Sequence, residues 1–406
     1  MNPRYFIGLS SGSSLLGVDA ALVRVDSVGR KARFSLEQFR HAPFGNELRE
    51  LLWQVTTNPT PELRHLGTLH RVLGETFAMA VNQLLTSARE QARDVLCIGC
   101  PGLLLWHDGN GRYPATRELG MMAVLAERTG LTVLSDFWSR DLALGGHGLP
   151  IHALVDAMLF HEPTEHRVRL HLGATASLVS LPGQLGPKDQ NIQGWQAAPC
   201  TLLLDGLMRL LTHGRDPFDA GGKHAVQGRC LEPLLKRWMQ NHFFQERPPK
   251  SVPRHEFGVD FLNRAIDQAK RQDGNLHDVL CTMTHFVAGA IAHSITNYLP
   301  TAPARILVSG GGVRNGLLWH LLEQKLTPVL LERTDAHGIP AEICKALAHA
   351  GLAALTLDGV PGNLPSVTGA AGQRLVGQIT PGAPANWARC LTWMARQAAP
   401  HHAVAA

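Results

Sequence analysis

At the start of the chain two apolar runs, Tyr5 to Leu9 and Val18 to Val25, flank a small and polar stretch, Ser10 to Gly17. Their length and their valine and aromatic content predict two strands in a hairpin, with a phosphate-sized loop between them. Apolar positions at helical spacing predict helices over Glu47 to Thr56 and Glu62 to Arg89. Val95 to Gly99 reads as a short buried strand, and Met121 to Arg128 as a helix that Gly130 ends before the strand Thr132 to Ser135. After the turn Gly145-Gly146-His147-Gly148 the pattern restarts with a strand Arg167 to Leu172, a turn Gly173 to Ser177 and a strand Leu178 to Leu181. Leu202 to Leu211 and Val279 to Leu299 are predicted helices. Arg305 to Val308 is a strand that runs into Ser309-Gly310-Gly311-Gly312 and then a helix, Gly316 to Lys325. Alternating strands and helices predict an α/β protein, and the repeated strand, turn, strand unit points to two related lobes.

Composition narrows the class. The 406 residues suggest two or three domains at roughly 150 residues each. Hydrophobic residues make up 45% and charged residues 17%, the balance of a folded globular chain. A net charge of +5, spread over 38 basic and 33 acidic residues without a basic block, argues against a nucleic-acid partner. The start of the chain has no signal-peptide pattern and no apolar run approaches a membrane span, so a cytoplasmic protein without membrane contact is expected. Seven cysteines in no repeated framework fit reduced thiols, and the lone pair Cys97 and Cys100 is expected in or just beyond a buried strand. The 21 histidines, among them His147, His152, His161, His166 and His171, show no zinc spacing and read as scattered surface residues. Arg247 to Pro253 holds three prolines and reads as a loop, and Ala398 to Ala406 as a frayed tail.

Six colinear stretches carry a more specific signal: GLSSGSSLLGVDAALV from Gly8, AERTGLTVLSDFWSRDLALGGHGLP from Ala126, PPKSVPRHEFG from Pro248, VSGGGVRNGLL from Val308, TDAHGIP from Thr334 and PGNLPSVTGAAGQRLVG from Pro361. Across nearly its whole length the chain resembles the anhydro-N-acetylmuramic acid kinase family. The resemblance implies a two-lobed sugar kinase and actin-like (ribonuclease H-like) fold with a cleft between the lobes. It implies a first lobe of residues 1–150, to which 345–406 return, and a second lobe of 151–344. The implied activity is ATP-dependent hydrolysis and O6-phosphorylation of 1,6-anhydro-N-acetylmuramic acid in peptidoglycan recycling, with ATP and Mg²⁺ as cofactors, a small anhydro amino sugar as substrate, and a homodimer. Ser11, Gly12, Ser13, Ser14, Gly17, Asp19, Gly173, Gly310, Gly311, Gly312 and Asn315 would face the nucleotide, and Asp136, Arg140 and Asp141 the substrate. No metal ligand is assigned.

The same comparison exposes departures. Such a reaction needs a carboxylate to take a proton from the attacking water. The family segment GFDTGPGN supplies it, and here the segment is Gly194-Trp195-Gln196-Ala197-Ala198-Pro199-Cys200-Thr201, with Gln196 at the Asp position. An amide has no basicity at neutral pH. General base catalysis is worth about 10² to 10⁴ in rate, or roughly 3 to 5 kcal/mol. Leu16 stands where the first loop of the family carries a carboxylate, Cys100-Pro101-Gly102-Leu103 replaces the HGQT box, and Met121, Trp138 and Lys345 replace further polar or acidic positions.

Two readings follow. In one the chain is an active kinase in which Asp136, Asp141 or Asp205 replaces the lost base, or Gln196 only positions the nucleophile. In the other it is an inactive pseudokinase kept as a nucleotide-, sugar- or partner-binding protein. Plainer roles stand beside the site roles. The glycine triplet also suits a tight strand-to-helix turn, Asp136 and Asp141 also suit structural caps, and Lys250 and Arg254 suit either a phosphate contact or a solvated loop.

Overall fold

The computed structural model describes residues 3–12, 14–58, 60–88, 94–186, 189–253 and 255–398. Ser13 and Arg254 lie outside the described residues, as does the expected frayed tail beyond Ala398, which ends a helix.

The first sheet begins with β1 (Arg4–Ser10), β2 (Gly17–Asp26) and β3 (Arg33–Pro43), an antiparallel meander. β4 (Val95–Gly99) lies parallel to β1 on its other side. A separate hairpin of β5 (Leu103–Asp108) and β6 (Ala115–Leu119) precedes β7 (Thr132–Ser135), which is parallel to β4. The second sheet repeats the plan. β8 (Arg167–Leu172), β9 (Thr175–Leu181) and β10 (Gln193–Pro199) form a meander, and β11 (Arg305–Ser309) and β12 (Leu330–Arg333) add in parallel beside β8. The orders β3-β2-β1-β4-β7 and β10-β9-β8-β11-β12 match strand for strand and direction for direction. This duplication is the two-lobed actin-like and sugar-kinase architecture. A last strand, β13 (Gln378–Thr380), pairs antiparallel with β7 and extends the first sheet.

The sheets are joined by a shared apolar layer. Phe6 and Leu134 of the first sheet, Val179 and Leu307 of the second, and the helices Ala153–Phe160 and Cys344–Leu357 all bury side chains in it. The helix Cys344–Leu357 lies so close to β1 that a Cβ on Gly8 would sit 1.8 Å from the Ala346 carbonyl oxygen, which only glycine accommodates. That helix is buried on nearly all sides, so its sequence has no polar face and gives no helical period to read. β3 was equally silent, because its charged outer face interrupts the apolar alternation of a sheet-edge strand.

Most elements read from the sequence stand within a residue or two, including the β1–β2 hairpin and the helix Gly316–Leu326. The turn expected over Gly173 to Ser177 is tighter than that, because β9 already starts at Thr175. The helix Leu276–Tyr298, opened by a reciprocal Asn275–Asp278 capping box, is long and apolar enough to cross a bilayer. Instead 78% of its most apolar window is buried inside the second lobe. Cys97 lies in β4 and Cys100 just after it, both buried and free, and burial pushes the Cys100 thiol up to about 12.

Two surface expectations need correction. His152 and His171 are buried and His147, His161 and His166 are partly so, each ring nitrogen that bonds doing so inside the protein, as His161 Nε2 does with the carbonyls of Pro182 and Gly183. Lys250 is not solvated. Its ammonium donates to the Phe243 carbonyl at 2.8 Å between the Phe243 and Tyr298 rings, and burial lowers it to about 8.

Candidate active cleft between the lobes

The hairpin loops of both sheets and the loop after β11 end at one cavity of about 260 Å³. Ser11, Gly12, Ser14, Gly17 and Asp19 line it from the β1–β2 hairpin, Gly173 from the β8–β9 turn, and Gly310, Gly311, Gly312 and Asn315 from the loop after β11. Every described residue expected to face a nucleotide therefore lines one space, although the three segments are far apart in sequence.

Local chemistry shapes each segment. Ser11 Oγ donates to the Gly17 carbonyl at 3.1 Å and ties the first loop across its base. The positive φ of that loop, 54°, falls on Leu15, a strained value for a side-chain-bearing residue. Gly310 has φ 90° and packs so tightly that a Cβ would lie 2.5 Å from the Leu172 carbonyl oxygen. Gly311 differs: apart from its own neighbours along the chain, no atom lies within 4 Å of where its Cβ would be. The fold does not demand a glycine there, and its open surface faces the cavity. Asn315 caps the following helix, accepting from the Leu318 amide at 3.0 Å.

The acidic side chains of the cleft differ in state. Asp19 Oδ1 is 2.8 Å from His41 Nδ1 on the neighbouring strand, a bond that raises the imidazole. Asp219 is spent on the backbone amides of His224 and Ala225, and Glu342 on Arg314. Asp205, on the helix Thr201–Leu211, is pushed up to about 8 by burial, against the opposing hydrogen bond from Thr201. A carboxyl with that value changes charge near neutrality, as a general base requires.

Other expected site residues lie elsewhere. Asp141 is fully buried and accepts from Asn363 Nδ2 and Thr368 Oγ1, both at 2.7 Å, and from the Gly148 amide at 2.9 Å. Asp136 caps the turn at Ser139 and takes Gln378 Nε2 at 2.7 Å, and Arg140 is exposed. None of the three lines the cavity. Gln196 is buried with both ends of its amide engaged: Oε1 accepts from the Val252 amide at 2.7 Å and Nε2 donates to Thr175 Oγ1 at 2.8 Å. Leu16 and Lys345 do line the cavity. So does His171, which sequence reasoning passed over; its signal was a polar ring in an apolar strand just before a glycine turn.

A family model for anhydro-N-acetylmuramic acid kinase matches residues 4–382. The chain belongs to the anhydro-N-acetylmuramic acid kinase family. A family kinase of that name from Salinibacter ruber is 34% identical over 385 residues, covering 93% of this chain and 96% of its own. Another from Trichormus variabilis is 33% identical over 387 residues, covering 94% and 98%. Among solved structures, the activator of 2-hydroxyisocaproyl-CoA dehydratase from Clostridium difficile with bound ADPNP aligns with a TM-score of 0.40 at 11% identity, over 86% of this chain and 93% of that one.

Proposed function

We propose that this member of the family binds Mg-ATP in the interlobe cleft and transfers its terminal phosphoryl group to a 1,6-anhydro amino sugar. The observation that carries the reading is Gly311: an open glycine, not required by packing, in a cavity that also collects the two hairpin turns. Backbone amides of such turns hold phosphate oxygens. Asp19 at the cleft edge would hold Mg²⁺, which in such sites takes one or two carboxylates, phosphate oxygens and waters, and which offsets phosphate charge when bound. Of the three carboxylates that could replace the lost base, Asp205 alone lines the cleft, so it is the group to take the proton of the attacking water.

Gly311→Leu tests the nucleotide half. Isothermal titration with Mg-ATP should give wild-type binding and at least ten-fold weaker binding for the variant, at unchanged melting temperature. Equal binding by both would remove the assignment.

A second reading is favoured by Gln196, whose locked amide leaves nothing at the family's base position: the cleft binds nucleotide without turning over sugar. The pH dependence separates the two. With Asp205 as base, phosphoryl transfer should rise with pH and level off near pH 8, and Asp205→Asn should lose about 10² to 10⁴ of the rate. Turnover absent at every pH, with ATP bound, would establish the second reading. Stability should carry the opposite slope. The folded state holds a proton on Asp205 that the unfolded chain has released, so stability falls as pH rises from about 4 to about 8, and Asp205→Asn removes that fall.

A further inference from the structure

His171 is the penultimate residue of β8, two residues before Gly173, and faces the cleft cavity. Its Nδ1 is 3.0 Å from Ser309 Oγ on the paired strand β11, at directly opposed register positions. The ring is thereby fixed between the two glycine turns. A Cβ on Gly173 would lie 2.7 Å from His171 Nε2, and one on Gly310 would lie 2.9 Å from Cε1. Nε2 itself has no hydrogen-bond partner among the described residues. A ring nitrogen held at the meeting point of two turns, with its other nitrogen committed to a hydroxyl, is built to bond something in the cavity.

We infer that His171 Nε2–H donates a hydrogen bond to a β- or γ-phosphate oxygen of the bound nucleotide, with Ser309 Oγ–H fixing the tautomer by donating to Nδ1. The inference rests on the proposed nucleotide cleft. Burial, then the charges of Lys345 and Arg169, hold the imidazole well below its usual range, so it stays neutral and carries one N–H. A neutral donor contributes geometry: it selects a phosphate at one place along the nucleotide without adding the long-range attraction of a cation. Lys345, also lining the cavity, supplies positive charge beside it.

The test is a ladder of Mg-ATP, Mg-ADP and AMP titrated into wild type, His171→Phe and His171→Gln. The Phe variant keeps an aromatic ring without the donor, and Gln returns an N–H at about the reach of Nε2. His171→Phe should bind ATP about ten- to hundred-fold more weakly, the range for a hydrogen bond to a charged group, with AMP affinity unchanged and with recovery in His171→Gln. The first member of the ladder to lose affinity identifies the phosphate. Equal losses for AMP and ATP, or no loss for either, would overturn the inference. Should the variants fold poorly, ¹⁵N chemical shifts of the wild-type imidazole supply the answer: Nε2 should shift with ATP and not with AMP, and a ring indifferent to both also overturns it. Wild type that binds no ATP would instead overturn the nucleotide reading itself, a result visible before any variant is made.

Discussion

Asp141→Ala should destabilise the protein by about 3 to 5 kcal/mol, the cost of leaving buried donors without an acceptor. Asp141 is fully buried and anchors three segments: the Gly148 amide of its own turn, and Asn363 and Thr368 of the PGNLPSVTG stretch that returns from the end of the chain. Asn363 Nδ2 also reaches the Gly372 carbonyl and Thr368 Oγ1 the Leu364 carbonyl, so these two keep partial partners. The Gly148 amide loses its acceptor outright, and the lost negative charge weakens the set further. Urea unfolding should show a lower midpoint at unchanged slope, since the surface exposed on unfolding stays the same. A loss below 1 kcal/mol would mean that the segment is held by packing and not by the Asp141 carboxylate.

The second large effect is expected at Asp156. Its carboxylate lies on the helix Ala153–Phe160 between the lobes, 3.4 Å from Arg169 Nε and 3.2 Å from His152 Nδ1, and Asp156 and Arg169 are almost wholly buried. Burial opposes ionisation of Asp156, but the charges of Arg169 and His152 together outweigh it and hold the carboxyl below its usual value. Asp156→Ala strands the Arg169 guanidinium in a low-dielectric layer, and breaking a buried pair from one side costs about 3 to 5 kcal/mol. Removing both charges with an apolar pair, Asp156→Leu with Arg169→Met, should recover most of that loss, because the desolvation penalty disappears with the attraction. The depressed carboxyl also fixes a sign. The stabilisation from the pair is full above the ordinary aspartate pKa and is lost as pH falls through the lower folded value, so acid should unfold wild type more readily than the apolar double variant. Equal acid sensitivity, with a full loss retained in the double variant, would mean that the pair contributes shape alone.

Much of the fold was legible because the chain obeys local rules. Val18 to Val25 is an apolar run rich in valine as a buried strand is, Arg305 to Val308 is another, and Gly130 with φ 69° closes a helix. The three loops of the cleft were legible for a related reason: glycine and serine between two regular elements leave backbone amides with no internal partner, whatever the rest of the chain does.

What sequence could not supply was which acidic and polar side chains share a space. Asp136, Asp141 and Asp205 are alike as residues, and spacing along the chain does not separate them. Folding spends Asp141 on three buried donors, turns Asp136 to a cap, and leaves Asp205 at the cleft with a raised carboxyl. The same holds for histidine. His171 differs from His161 in sequence only by its place in an apolar strand before a glycine, which names no partner; β8 pairs with β11 and places it beside Ser309 at the cleft, while His161 closes a turn on the Pro182 carbonyl. The sequence by itself determined the class of fold, the repeated lobes and an amide, not a carboxylate, at Gln196, since these rest on pattern and residue identity. Only the tertiary structure decided which groups are buried, paired or free to meet a ligand, because desolvation and partnering depend on segments far apart in the chain.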